Sequence, residues 1–423
     1  GIVRKSIFLQ PVAKAKLKML VWKIAFRNLF RQKSRSLLCG SSICGAFILF
    51  SISLGFSDGT YGTIIRMLTE NHSGHVQIHR KGFLDNPSLH RHFRLNEELE
   101  QSLREYEEVE SWTARIHSAA LIFGEKKSGF ARVTGLDPEH EEQVTSLSRK
   151  LESGKLFRDS TTQEILLGAK LRNLLQVEVG EEVVLLGQGA DGSIANDIFT
   201  VAGILKADAE MRDGNRAYLP LKTAQEYFSL GNRVHEIALH LREDGYAREQ
   251  SVLLQQQMPN DNLDVQPWQV VEEAFYKAMA ADMEGNWITQ VVILFIVSLL
   301  ILITVLMNTL ERQHEFGVLL AVGTSPGFIF RGIVLEMTLL GFFSVLVGLL
   351  PAYALNWYFS QNGIVIEPAM EYGGMIFDQI RSEPTPGSLI IPAFAAVLTA
   401  FLVSLYPAFK AARSVPVEIM NRP

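Results

Sequence analysis

Cysteine is almost missing from this chain. Its two copies in 423 residues, Cys39 and Cys44, both fall inside one apolar run. The polar remainder therefore has no disulfide framework and must be held by a core of its own. Nothing matches G-x-x-x-x-G-K-[ST], so there is no P-loop to cradle ATP phosphates. No acidic residue occurs among residues 1–36, against ten Lys or Arg. No charged residue interrupts Trp287–Leu310. No nucleophile can be paired with a base along the chain, which leaves little support for an enzyme in its own right.

What is present is a set of unequally spaced apolar stretches. Leu37–Phe56 comes first, then about 230 mostly polar residues, then Trp287–Leu310, Phe328–Phe359 and Leu389–Phe409. Each is long enough to cross a bilayer, which takes roughly 20 helical residues. The polar insertion explains a mean hydropathy of only +0.14. Residues 37–310 hold 24 basic and 37 acidic side chains. The basic flank before the first stretch points it to the cytoplasm, and four spans return the C-terminus there, beside Lys410, Arg413 and Arg422. The acidic insertion is then expected outside the cytoplasm. The boundaries expected are a basic elbow helix over 1–36, spans at 37–56, 287–310, 328–360 and 388–409, and an external domain over 57–286. A cytoplasmic segment over 311–327, an external loop over 361–387 and a cytoplasmic tail over 410–423 complete them.

The N-terminal flank suits an amphipathic helix on an anionic inner leaflet better than a nucleic-acid arm. Trp22, Phe26, Leu29 and Phe30 recur near the helical period, with Lys23, Arg27, Arg31 and Lys33 on other faces. Gly1 is not a start residue, so a trimmed or altered front is expected, with Met19 nearer the natural beginning. No small residue stands where a signal or lipoprotein cleavage site needs one, since Leu38 and Ile43 precede the cysteines. The first stretch therefore reads as an uncleaved signal anchor. Its small residues, among them Gly40, Gly45, Ser51 and Gly55, allow close helix packing within one subunit or between two.

The insertion mixes strand patterns (His75–His79, Ala119–Phe123, Ala131–Gly135, Glu182–Leu186, Ile198–Ile204, Glu236–Leu241) with helix patterns (Glu97–Glu107, Lys170–Leu175, Tyr246–Gln257). This predicts an α+β domain, with a possible second lobe over 150–222. Trp268–Met283 reads as a charged helix that could run into the second span as a stiff rod. Gly187-Gln188-Gly189-Ala190-Asp191-Gly192 matches G-x-G-x-x-G, but a strand follows it rather than a helix. No helix dipole is available for pyrophosphate there, so a hairpin turn is predicted. His72, His75 and His79 near Glu70 have loose metal-ligand spacing, yet the pattern is that of a half-buried strand with Val76 and Ile78 on the core face. His314-Glu315 begins like a zincin motif, but Val318 stands where the second His is needed.

Leu310–Gly323 reads as an amphipathic, cytoplasmic segment, and Thr324-Ser325-Pro326 as the next helix start, with a capping hydroxyl. Glu336 is an intramembrane acid, a functional candidate unless it pairs with Arg331 or with another subunit's basic flank. Gly341 and Gly348 suggest a packing seam.

Four blocks, taken in order, carry a family resemblance. They are Trp22-Lys23-Ile24-Ala25-Phe26-Arg27-Asn28-Leu29, Phe199-Thr200-Val201-Ala202-Gly203-Ile204-Leu205, Glu311-Arg312 with Glu315 to Thr324, and Tyr406-Pro407-Ala408 with Ala411, Arg413 and Pro416. The chain resembles the FtsX-like permease subunits of MacB-type (type VII) ABC transporters. It is most similar to the lipoprotein-releasing LolC/LolE group, through Ser73–His79 with Gly82, Asp85 and Pro87. The resemblance implies an α-helical membrane protein with four transmembrane helices and a large α+β MacB-like periplasmic domain between the first and second.

It also implies the partners: a LolD-like ATPase dimer, a second permease subunit, a lipoprotein substrate and a periplasmic chaperone or adaptor, all at the bacterial inner membrane and none of them nucleic acid. The chain itself would carry no cofactor, with ATP and Mg on the ATPase. By resemblance, Glu311, Arg312, Glu315, Phe316, Gly317, Leu319, Leu320, Gly323 and Thr324 would couple to that ATPase. Phe316, Leu319 and Leu320 would fill its groove, and Glu311, Arg312 and Glu315 would form the polar rim. Acyl chains would enter laterally between the first and second spans of the two subunits, with Phe47, Phe50, Ile296 and Leu300 as apolar candidates there. The alternatives are an exporter of peptide, toxin or drug with an adaptor, and a transmembrane regulator of a cell-wall hydrolase.

Overall fold

A computed structural model describes residues 26–27, 33–157, 159–206, 214–258, 262–372 and 375–413. Apart from Phe26 and Arg27, the basic block at 22–29 lies outside the described residues, as do Pro416 and Arg422. The chain divides into two compact units. One holds Gly1–Tyr61, Asp282–Val365 and Gln379–Pro423, and the other Gly62–Ala281 with Ile366–Asp378.

Among the described residues, four helices are long and apolar enough to cross a membrane. They are Lys33–Leu68, Glu273–Glu311, Pro326–Asn362 and Pro386–Ala412. In the membrane unit they share one core, which includes Ile43, Phe47, Ile301, Val305, Met337, Leu340 and Ala400. Glycine sets the closest approaches. A Cβ at Gly341 would stand 2.9 Å from Ala400, and one at Gly348 2.9 Å from Phe47. The predicted seam thus serves two neighbours, the fourth helix and the first. Gly40 faces Ser344 and Leu340, and a Cβ at Gly55 would collide with Asn356 and Ser382. Those small residues pack within the chain, as close helix approach in lipid requires.

The first and second helices run antiparallel in a fixed register. Ser53 Oγ donates to Gln290 Oε1 (3.1 Å), Tyr61 OH to Asp282 Oδ2 (2.8 Å), and Asn286 Nδ2 to Ser57 Oγ (2.5 Å). Each step of four along one helix meets a step of four back along the other. The Cys39 thiol, facing the Thr304 carbonyl at 3.8 Å, keeps the same register two heptads away. A buried polar knot joins the first helix to the third: Asn356 Nδ2 donates to Ser51 Oγ (3.1 Å), and Ser382 Oγ donates to Asn356 Oδ1 (2.6 Å).

The other unit is α+β. Its strands are β1 (Val76–Arg80), β2 (Phe93–Arg94), β3 (Val109–Phe123), β4 (Ser128–Leu136), β5 (Leu151–Gly154), β6 (Glu164–Gly168), β7 (Glu182–Gln188), β8 (Ile194–Leu205), β9 (Arg216–Pro220), β10 (Arg233–Val234), β11 (Glu236–Leu241) and β12 (Leu263–Pro267). Ten of them form one sheet in the order β12-β1-β11-β3-β4-β9-β6-β8-β5, with β7 bridging β3 and β8. Strands from 150–222 therefore join the same sheet as the rest instead of building a separate lobe. The G-x-G-x-x-G segment is the β7–β8 hairpin: Gln188 pairs with Ile194, and Gly192 sits at φ +86°. β13 (Ile364–Tyr372) and β14 (Met375–Ile380) form a two-stranded hairpin between the third and fourth long helices.

Local chemistry explains the helices of this unit. Asn96 caps Glu97–Glu105 through Oδ1, which accepts from Leu99 N (3.3 Å), and Leu99 and Leu103 fill the core beneath. Asp137 caps Pro138–Thr145, accepting from Glu139 N (3.1 Å), with Pro138 in the first turn. The expected rod Trp268–Met283 runs into the second span only from Glu273. Trp268–Val271 is one turn, Glu272 leaves helical geometry (φ −104°, ψ 46°), and the long second helix starts at Glu273.

Candidate functional site

The segment between the second and third long helices is built around one arginine. The second helix stops at Glu311, and Arg312 adopts φ −97°, ψ 5° before a short helix, Gln313–Ala321, begins. Gly323 then turns the chain at φ +97°, a conformation an L side chain resists. Pro326 opens the third helix after Ser325, without the side-chain cap bond that the hydroxyls of Thr324 and Ser325 suggested.

Arg312 is buried, only 6% exposed. Its Nη1 donates to Glu336 Oε1 of the third helix (2.6 Å) and its Nε to Glu315 Oε2 (3.2 Å), while the guanidinium carbon lies 5.1 Å from the Phe316 ring centre. Two expectations are corrected here. Glu336 is held by Arg312, whereas Arg331 is exposed. Arg312 itself is an internal strut and no part of a polar rim. Removing one member of a buried, charge-assisted pair leaves the other uncompensated, so the short helix is fastened to the third span.

The same geometry corrects the face of the short helix. Arg312, Phe316 and Leu320 recur every four residues and point inward. Phe316 (4% exposed) belongs to the membrane core, Leu320 packs against it, and Gly317 is buried. The outward face carries Glu311, Glu315, Leu319 and Gly323, with Val318 and the 82%-exposed Val322. Thr324 is half-buried. Sequence reasoning grouped Phe316 with Leu319 because both are apolar. Glu336 was singled out as an intramembrane acid in need of a partner; the signal passed over was Arg312, four residues before Phe316 and one helix away, as that partner.

Within one chain, the four residues expected at a lateral entry between two subunits lie on different faces. Phe47 and Phe50 are buried, Phe47 against Gly348, while Ile296 and Leu300 lie on the exposed face of the second helix. Aromatic rings opposite a glycine fill the helix crossing, which the sequence run alone does not disclose.

The α+β unit carries a second charged arrangement. Strand register sets Asp264 beside His79, His79 beside Glu236, and Glu236 beside Arg115, a row of alternating charge type across β12, β1, β11 and β3. Arg115 Nη2 and Nε donate to the two carboxylate oxygens of Glu141 (2.7 and 3.0 Å), and Nη1 donates to Glu236 Oε1 (2.7 Å). His117 Nε2 meets Glu236 Oε2 at 2.7 Å. Burial raises the Glu236 carboxyl, but His117 and Arg115 overcome it and hold it well below the usual carboxylate range. Glu141 is lowered in the same way, burial opposed by Arg115.

His235 Nδ1 accepts from His117 N (3.1 Å) and its Nε2 faces the Leu89 carbonyl (3.0 Å), a setting satisfied by the neutral ring. Burial, in agreement, brings it down to about 4. The polar face of β1 is thus covered, not half-buried as its alternation suggested: His75, Gln77 and His79 are as buried as Val76 and Ile78. Among the described residues no group of three or more His, Cys, Asp or Glu is placed to hold a metal ion.

Residues 287–416 match the model of the FtsX-like permease C-terminal family. The chain is 22% identical over 321 residues to the lipoprotein-releasing system transmembrane protein LolC of Neisseria meningitidis, which spans 72% of this chain and 76% of that one. It is 22% identical over 358 residues to the corresponding LolE of Haemophilus influenzae, 82% of this chain and 85% of that one. A solved structure, the periplasmic region of MacB from Actinobacillus actinomycetemcomitans, aligns at 20% identity with a TM-score of 0.36, over 50% of this chain and 94% of that one.

Proposed function

Residues 287–416 belong to the FtsX-like permease family, and from that premise we propose that the chain works with a separate ATPase to release lipoproteins from the outer leaflet of the inner membrane. An FtsX-like permease is a non-catalytic, multi-pass subunit of an ABC transporter, and the hydrolysis of ATP belongs to its partner. The observation that carries the lipoprotein reading is similarity over most of the chain to two lipoprotein-releasing system proteins. The termini would face the cytoplasm, and a second permease subunit, identical or paralogous, would complete the assembly.

The coupling follows from the strut. An ATPase groove would receive Leu319, Val318 and Val322, with Glu311 and Glu315 at its edge. Force on that face would pass through Arg312 to Glu336 and so to the third helix. One uninterrupted helix, Glu273–Glu311, supplies a stiff second element. Work of this kind suits an acylated substrate, because each methylene withdrawn from lipid costs about 0.8 kcal/mol. Mass spectrometry of what co-purifies from native membranes in mild detergent tests the reading. An ATPase with triacylated lipoproteins is the expected result. An ATPase with an export adaptor or a cell-wall hydrolase instead would overturn the lipoprotein assignment.

A further inference from the structure

Residues 82–92 run between β1 and β2 as a compact strap over the polar face of the sheet. Backbone bonds fix its two ends. Lys81 N donates to Asn262 O (2.9 Å), and Phe93 of β2 pairs with Val234 of β10. Between these points the backbone bonds are those of local turns, such as Phe83 N to Arg80 O and Arg91 N to Ser88 O (both 3.0 Å). Two side chains hold the middle of the strap: His235 through Nε2 to Leu89 O (3.0 Å), and Arg80 through Nη1 to His90 O (3.4 Å). The buried Phe83 ring stacks on His79 (5.0 Å between centroids) and on His235 (5.7 Å). Compact loops of this size, packed on their own side chains, frequently carry function.

The strap is also one wall of a cavity of about 710 Å³. Leu84, Pro87 and Leu89 line it from the strap, and His117 and Thr134 from the sheet. Movement of the strap therefore changes access to that floor.

The histidines beneath the strap differ in what an added proton would meet. His79 Nδ1 faces the His235 carbonyl (3.1 Å) and its Nε2 faces Gln77 Oε1 (2.8 Å), while His117 Nε2 faces Glu236 Oε2 (2.7 Å). An N–H at any of these positions points at oxygen. His235 Nδ1 instead accepts from the backbone N–H of His117 (3.1 Å), so a proton there would set N–H against N–H. Its surroundings offer little compensation. Glu236 on β11 favours the cation, but its carboxylate is already taken by Arg115 and His117. Burial opposes the cation most, and the rings of His117 on β3 and His92 at the end of the strap oppose it further. Arg233 of β10 and Arg80 of β1 add positive charge beside His92.

We propose that residues 82–92 form an acid-released gate on this cavity, latched by the neutral ring of His235. A second proton on that ring breaks the bond from His117 N, the ring turns out, and Leu89 O loses its donor. The sign follows from the closed ring's pKa of about 4, below the ordinary 6.5 that an exposed ring regains. The latch is complete above 6.5 and is lost progressively as pH falls toward 4. The inference does not depend on what the permease carries.

Hydrogen–deuterium exchange of the full chain in phosphatidylcholine nanodiscs tests it, with rates at pH 7, 5.5 and 4.5 each normalised to the unstructured rate at that pH. Strap opening should rise roughly ten-fold from pH 7 to 5.5 and roughly fifty-fold to 4.5. Residues 99–103 and 164–168 serve as controls and should change far less. Carbene footprinting of residues 117–119 on the cavity floor should rise over the same range. His235→Gln keeps an acceptor for His117 N and a donor for Leu89 O without titrating, so its strap should stay closed throughout. A strap as protected at pH 4.5 as at pH 7 would overturn the proposal. So would controls that open equally, a floor that stays unlabelled, or a His235→Gln strap that still opens in acid.

Discussion

Arg312 shows how one side chain can decide what a segment does. A guanidinium and a carboxylate 2.6 Å apart inside an apolar core are worth little compared with a packed apolar pair, but much compared with either charge alone. Arg312→Ala should therefore lower stability by about 3–5 kcal/mol. The double replacement Arg312→Met with Glu336→Leu should recover most of it, read as thermal stability in detergent. Recovery without restored ATPase stimulation would separate the strut from the fold; an Arg312→Ala protein as stable as the parent would remove the strut altogether.

His235 makes the opposite kind of statement. Its folded pKa of about 4 lies below the ordinary 6.5, so its contribution is complete above 6.5 and drains away as pH falls toward 4. Glu236 is lowered too, so what it adds is lost only at still lower pH, from the usual carboxylate range downward. The α+β unit should lose about 3 kcal/mol between pH 7 and pH 4 through His235 alone. Fluorescence melts on Trp112 and Trp268 would show this, and His235→Gln should flatten the slope.

At the scale of elements, the decisive question is which face of a helix is spoken for. The short helix Gln313–Ala321 buries the stripe Arg312, Phe316, Leu320 and leaves the stripe of Leu319 and Val322 exposed. Replacing Leu319 and Val322 together with Asp should reduce co-purified ATPase at least ten-fold while leaving thermal stability within about 0.5 kcal/mol, the usual range for surface changes. Phe316→Ala should do the reverse, destabilising by about 3–5 kcal/mol as large-to-small core changes do. If the two sets of variants behaved alike, the outward face would have no partner. The seam between the first and second long helices carries the same lesson. Ser53, Ser57 and Tyr61 look unremarkable along the chain, and only the antiparallel register with Gln290, Asn286 and Asp282 makes them rungs.

At the scale of the whole molecule, what could be read from the chain depended on the range of the interaction responsible. The four long helices were legible because a run of apolar residues carries its own signal, and so was the glycine-rich hairpin, where Gly192 needs a positive φ. The strand pattern of β8 was legible for the same reason. The first half of β3 was not, because its polar residues Arg115 and His117 hide the alternation that their burial depends on. The helix Pro138–Thr145 was missed as well; its residues are mostly polar, and the burial of Glu141 depends on Arg115 meeting it from strand β3.

Both units obey one rule. Each places its buried charges on partners distant in sequence, Arg312 with Glu336 across 24 residues and Arg115 with Glu236 across 121. A buried charge cannot be desolvated before its partner arrives, so such pairs form only when the surrounding packing is right. They therefore mark places where a change in packing is felt most sharply. Under the proposed coupling to an ATPase, that makes Arg312 and Glu336 the pair through which a small displacement of the short helix would have to be answered by the third span.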